Sequence, residues 1–95
     1  MAERELFCGD LVSIAEFSCP PADRAWCDVN VIESASPIIV FPRLPVAIRP
    51  ASSEPVLATP NLAMLYNPGQ QFERELRSEH GDECLRHATF ACLIP

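Results

Sequence analysis

Three side chains in this sequence carry chemistry suited to holding a small molecule. Arg43 follows the apolar run Ile38-Ile39-Val40-Phe41 and Pro42, so its stem packs while its guanidinium seeks a partner. A planar guanidinium meets a carboxylate or phosphate through two parallel hydrogen bonds. An anionic effector is one such partner; Asp82, Glu83 and backbone carbonyls are the others. Trp26 and Tyr66 each join a large apolar ring to a polar tip, which suits a pocket wall. Trp26 equally suits a plug over one end of a core, because it follows the loop opened by Pro20-Pro21.

Catalytic groupings are weaker. Cys84 and His87 form a nucleophile–base pair on paper, but on a strand positions three apart point to opposite faces. Glu73 and Glu75 share a face, yet Arg74 and Arg77 beside them make a solvated edge rather than an acid–base pair. There is no glycine-rich phosphate loop. The five cysteines, Cys8, Cys19, Cys27, Cys84 and Cys92, contain no Cys-x-x-Cys, and the odd count favours reduced thiols. They are expected to be small apolar core residues. No enzyme activity is expected.

The elements that must position these residues are short. Ten prolines and three glycines argue against long helices, and no amphipathic helical repeat is present. No apolar run could span a bilayer. The charged start Met1-Ala2-Glu3-Arg4-Glu5 lacks an apolar signal region, which predicts a cytoplasmic protein. Net charge is −6, and the seven basic residues are all scattered Arg, so no nucleic acid is expected to bind through these residues.

Strand signals fill the chain. Residues 6–8 and 11–19 read as strands, the second with Leu11, Ser13, Ala15, Phe17 and Cys19 on one face. Residues 20–28 read as a loop, and 27–32 as a further strand. Ile38 to Phe41 is apolar throughout and predicts a strand buried on both faces. Pro42-Arg43-Leu44-Pro45 interrupts it, and Val46 to Arg49 is expected to return as the second arm of a hairpin. Residues 55–84 hold three runs divided by Thr59-Pro60-Asn61, Asn67-Pro68-Gly69 and His80-Gly81-Asp82. This is the punctuation of an antiparallel meander with one wet face. A last strand covers 85–93. About eight short strands without a convincing helix predict a sandwich or barrel.

At this point the residues resemble a known family. The chain is similar to the N-terminal regulatory domain of AraC-type transcriptional regulators, in the branch with a cupin-like barrel. The resemblance rests on Leu6-Phe7, the segment CPPADRAW from Cys19 to Trp26, Val40-Phe41-Pro42-Arg43, and Val46 with Ile48-Arg49. It continues through Ala58 to Asn61, Tyr66-Asn67 with Gly69-Gln70, and Gly81-Asp82 with Cys84. It implies an all-β, small antiparallel cupin-like (jelly-roll) barrel or half-barrel with little or no helix. Residues 1–95 are then a single regulatory domain for sensing a small-molecule effector and for dimerisation, without its helix-turn-helix region. The alternative is a small stand-alone cupin-like protein, either a metal-free isomerase or an interaction module.

A metal-dependent cupin needs a His-x-His pair and a carboxylate on one strand, and another His after a Pro-x-Gly turn. Here Gln70, Gln71 and Phe72 follow Pro68-Gly69, and no His-x-His occurs. No metal and no other cofactor is expected. His80 and His87 read as a turn residue and a cross-strand partner. An incomplete barrel leaves strand edges unpaired beside apolar surface, so a homodimer is expected, with Ile39, Phe41, Val46, Ile48 or Phe90 in its interface.

Overall fold

Proline and glycine cut the chain into extended runs, and β-branched and aromatic residues within those runs favour a pleated surface. The computed structural model describes residues 2–51 and 53–89. Its strands are β1 (Ala2–Cys8), β2 (Val12–Cys19), β3 (Asn30–Val31), β4 (Ile38–Pro42) and β5 (Val46–Pro50). They continue with β6 (Val56–Ala58), β7 (Met64–Tyr66), β8 (Gln71–Leu76) and β9 (Asp82–Thr89). The one helical piece among the described residues is a 3-10 turn, Arg24–Cys27.

Every pairing is antiparallel, and the strands form two sheets ordered β1-β2-β9-β4-β7 and β3-β8-β5-β6. The fold is all-β, as expected. β9 is the middle strand of the larger sheet, paired from Val12↔Thr89 to Cys19↔Asp82 on one side and from Ile38↔Ala88 to Pro42↔Cys84 on the other. Apolar side chains from both sheets meet between them, with Phe17, Ile38, Val40, Val46, Ile48 and Phe72 all buried.

The connectivity departs from the meander. Strands β6 to β9 alternate between sheets: β6 pairs with β5, β7 with β4, β8 with β3 and β5, and β9 with β2 and β4. The turn signals marked where strands end. They carried no information on whether the next strand returns to the same sheet or crosses to the other. The expected β4–β5 hairpin fails for the same reason. Residues 42–45 carry the chain across the barrel, and a proline-rich segment suits a crossing because it has fewer donors to satisfy. Of the proposed 27–32 strand only Asn30 and Val31 belong to β3, and Ile32 beyond them exchanges backbone hydrogen bonds with Gly69 and Gln70.

β4 is also not buried on both faces. Ile38, Val40 and Pro42 point inward, while Phe41 is 45% exposed and Ile39 half-buried on the outer face. The outer positions of the larger sheet align across all five strands as Phe7↔Ile14↔His87↔Ile39↔Leu65. β1 is exposed along its whole length.

Two turns require glycine. Gly69 and Gly81 have φ of 76° and 89°, in the left-handed region that L side chains rarely adopt. A side chain at Gly69 would enter open space, whereas at Gly81 it would collide with the Cys19 carbonyl and press on Pro20 Cα. Backbone strain alone costs about 1–3 kcal/mol, and the collision adds overpacking of about 1–3 kcal/mol. Gly69→Ala should therefore lower stability by roughly 1 kcal/mol. Gly81→Ala should lower it by about 3 kcal/mol or more, and urea denaturation of the two variants side by side will show the difference. Equal losses would mean that the Cys19–Gly81 approach does not constrain the fold.

Candidate functional site

Alternation places charges where a core is expected. The inward positions of β9 are Asp82, Cys84, Arg86 and Ala88, and those of β8 include Phe72 and Arg74. The two sheets therefore face each other with guanidinium and carboxylate groups between them. Arg74 Nη1 donates to Asp82 Oδ2 at 2.8 Å, with side chains only 4% and 7% exposed. Around this pair the Arg74 guanidinium lies 4.7 Å from the Trp26 ring centre and 5.6 Å from that of Phe17. Its Nη2 reaches Cys19 Sγ at 3.5 Å. The pair spans the interior, β8 belonging to one sheet and β9 to the other.

Arg86 lies one inward position beyond Cys84, between Ala15 of β2 and Val40 of β4. Its guanidinium covers the Phe17 ring at 4.2 Å. Its Nε is buried without a hydrogen-bond partner. The small side chain of Ala15 leaves room for it. Among the described residues no carboxylate pairs with Arg86, in contrast to Arg74.

These groups border a cavity of about 670 Å³ between the sheets. Its apolar walls include Phe17, Ile38, Val46, Ile48, Tyr66 and Phe72, with Tyr66 and Phe72 in ring contact at 4.9 Å. Its exposed lining carries the carboxylates of Glu3, Asp28 and Glu33. The volume falls within the range typical of small-molecule sites. Burial, with smaller help from the Asp82 charge, pushes the Tyr66 hydroxyl up to about 12. Burial and then Asp82 push the Cys84 thiol up to about 11, against an opposing pull from Arg86. Both groups are neutral at pH 7.

Of the three proposed ligand contacts, Tyr66 lines the cavity. Trp26 stands behind Arg74 in the 3-10 turn, partly buried against the core, and its Nε1 donates to the Pro20 carbonyl at 2.9 Å. Arg43 is outside. Its side chain is 44% exposed and pairs with Glu16 at 3.0 Å, and Glu16 also meets Arg4 at 3.4 Å. Asp82 is already held by Arg74, so the expected side-chain partner is corrected to Glu16. Glu83 contributes only its carbonyl, which accepts from the Arg43 backbone N–H at 2.7 Å.

Of the proposed interface residues, Val46 and Ile48 face the cavity and are buried. Ile39 and Phe41 face outward, and Phe90 lies outside the described residues. Cys19 and Cys84 are buried as expected, but Cys8 and Cys27 are exposed; Cys92 is outside the described residues. His80 sits on an exposed turn, and His87 is half-buried on the outer face of β9. Among the described residues no group of three or more His, Cys, Asp or Glu could hold a metal ion. Among them, too, no helix is long and apolar enough to cross a membrane.

Arg74, Asp82 and Arg86 were missed by sequence reasoning. Period-2 alternation puts Arg74 on the Phe72 side of β8 and Arg86 on the Cys84 side of β9. That signal was available, but a charged residue beside Glu73 and Glu75 read as a solvated edge.

The two-sheet topology has a counterpart of known structure. A cupin domain from Bordetella pertussis Tohama I superposes with a TM-score of 0.65, covering 95% of this chain and 93% of that one at 11% identity. The fold is that of a cupin. No family model matches the sequence, and no curated protein does. At this identity the likeness concerns the fold alone, and the cupin interior here is filled by the Arg74–Asp82 pair and Arg86.

Removing one partner of a buried ion pair leaves an uncompensated charge, which costs about 3–5 kcal/mol. Asp82→Asn should lower stability by about that much in urea denaturation. The double substitution Arg74→Met with Asp82→Leu should recover most of the loss. A single-variant loss under about 1 kcal/mol would show that water reaches the pair.

Proposed function

We propose that this cupin domain binds a small molecule in the cavity between its sheets and does not transform it. The cavity carries this reading: about 670 Å³, with apolar walls from both sheets, convergent polar groups between them and a charged exposed lining. The inner groups that could act as base or nucleophile are engaged otherwise, and the carboxylates of Glu3, Asp28 and Glu33 stand on the exposed part of the lining. Asp82 is tied to Arg74 and the Cys84 thiol stays protonated. The cupin fold and the resemblance through Val40-Phe41-Pro42-Arg43 and Tyr66-Asn67 favour the effector-sensing domain of an AraC-type regulator. Such a domain passes its bound state to helix-turn-helix segments, so contact with DNA belongs to those segments. A second reading is a stand-alone cupin binding protein. It rests on the same cupin fold.

The same reading includes a homodimer. The row from Phe7 to Leu65, apolar apart from His87, crosses the larger sheet on its outer face, with Leu65 66% exposed, and among the described residues β1 is an edge strand beside it. Two-fold pairing of this face covers both features in one contact. Light scattering should give twice the chain mass of 10.5 kDa, falling to the chain mass in Phe41→Asp. The chain mass at every concentration would remove the dimer.

A thermal-shift screen of small metabolites tests the binding reading. A compound at 100 times its Kd adds about 2.7 kcal/mol to the folded state, so the midpoint should rise by several degrees. Ala15→Leu, which fills the cavity beside Arg86, should abolish that rise while the protein still melts cooperatively. A ligand unaffected by Ala15→Leu would lie elsewhere.

A further inference from the structure

We propose that the cavity ligand is a monoanion with an apolar body, a small monocarboxylate, whose carboxylate is received by Arg86. This deepens the binding reading and rests on it. Two guanidinium groups and one carboxylate lie between the sheets, Arg74 and Asp82 buried and Arg86 half-buried. Asp82 compensates Arg74 at 2.8 Å, which leaves Arg86 as the uncompensated cation. Its buried Nε makes no hydrogen bond, and a buried donor left unmade is costly. One face of the guanidinium is spent on the Phe17 ring at 4.2 Å, so ligand reaches its N–H edge. A carboxylate matches that edge with parallel, charge-assisted hydrogen bonds.

Charge number and ligand body follow from the rest of the lining. Only one positive charge is uncompensated, and Glu3, Asp28 and Glu33 stand on the exposed part of the cavity. Like charges there repel a dianion or a phosphate ester more strongly than a monoanion. The apolar walls include Ile38, Val40, Val46, Ile48 and Phe72, which suit an alkyl or aryl body. Cys84 is within hydrogen-bonding reach of Arg86, and its neutral thiol does not offset the charge.

Calorimetry with octanoate and 3-phenylpropionate, against octanamide and 3-phenylpropionamide, tests this directly. The acids should bind about 10- to 100-fold more tightly than their amides, the span for a hydrogen bond to a charged group. Suberate and phenyl phosphate should bind more weakly than the monoacids. In Arg86→Gln the acids should lose their advantage, while the ligand-free melting midpoint stays level or rises because a half-buried cation with an unmet Nε has gone. Amides binding as well as acids, or a preference that survives in Arg86→Gln, would overturn the proposal while leaving the cavity a binding site. A ligand-free midpoint lower by more than about 5 °C, roughly 1 kcal/mol for a domain of this size, would make Arg86 a structural clamp and overturn it too. If neither acids nor amides bind, and the metabolite screen is also silent, the binding reading falls with it.

Discussion

The Arg74–Asp82 pair is the constraint on which the interior depends. Two charges withdrawn from water cost several kcal/mol each, and attraction at 2.8 Å offsets that only if the remaining donors are also met. Trp26 and Phe17 stack on the guanidinium, and Cys19 Sγ approaches it. These groups come from three parts of the chain. Trp26 is delivered by the 3-10 turn after Pro20-Pro21, Phe17 and Cys19 by β2, and Asp82 by the strand that begins at the Gly81 turn. The close approach of Gly81 to the Cys19 carbonyl sets the register of β9 on β2, and with it the position of Asp82. A one-residue slip would turn Asp82, Cys84 and Arg86 out to solvent together.

From that register follows the unusual distribution of polarity. The inner face of β9 carries Asp82, Cys84 and Arg86, while its outer face carries Leu85 and His87. β4 and β7 behave differently on their inner faces, where Ile38, Val40 and Tyr66 are buried, but they also leave Phe41 and Leu65 in solvent. A chain this short has limited apolar surface to bury. Placing large apolar residues outside and guanidinium groups inside lowers stability relative to the reverse arrangement. The Arg74–Asp82 ion pair offsets part of that cost.

Strand existence was largely legible, because alternation in residues 11–19 and 71–77 and the turns at 67–69 and 80–82 are local signals. Connectivity was not. Whether the strand after Asn67-Pro68-Gly69 pairs with its predecessor depends on which sheet buries Phe72, and that is a property of the whole fold. Gly69 N–H donating to the Ile32 carbonyl, 37 residues earlier in the chain, is a contact that no local rule implies. The site was half legible. Tyr66 was assigned to a wall from its chemistry alone. Arg43 drew attention because it follows a buried strand, but the chain crosses between sheets there and carries the side chain to Glu16 outside. Arg74 and Arg86 satisfy the same alternation that placed Phe72 and Cys84. Their charge outweighed their position in the reading of the sequence.

The raised Cys84 thiol and the uncompensated Arg86 are two views of one electrostatic balance. A thiolate at Cys84 would neutralise Arg86, and the hydrogen bond between them does pull the thiol down. Burial outweighs that pull, and the Asp82 carboxylate two residues away on the same face adds to it, so the thiol rises to about 11. Tyr66 faces the same burial and the same carboxylate and rises to about 12. Asp82 thus has two effects. It satisfies Arg74 directly, and it adds to the burial that raises the Cys84 thiol and the Tyr66 hydroxyl. Among the described residues no carboxylate pairs with Arg86, and the Cys84 thiol and Tyr66 hydroxyl on the same side of the interior stay protonated, which leaves its guanidinium open to an incoming anion.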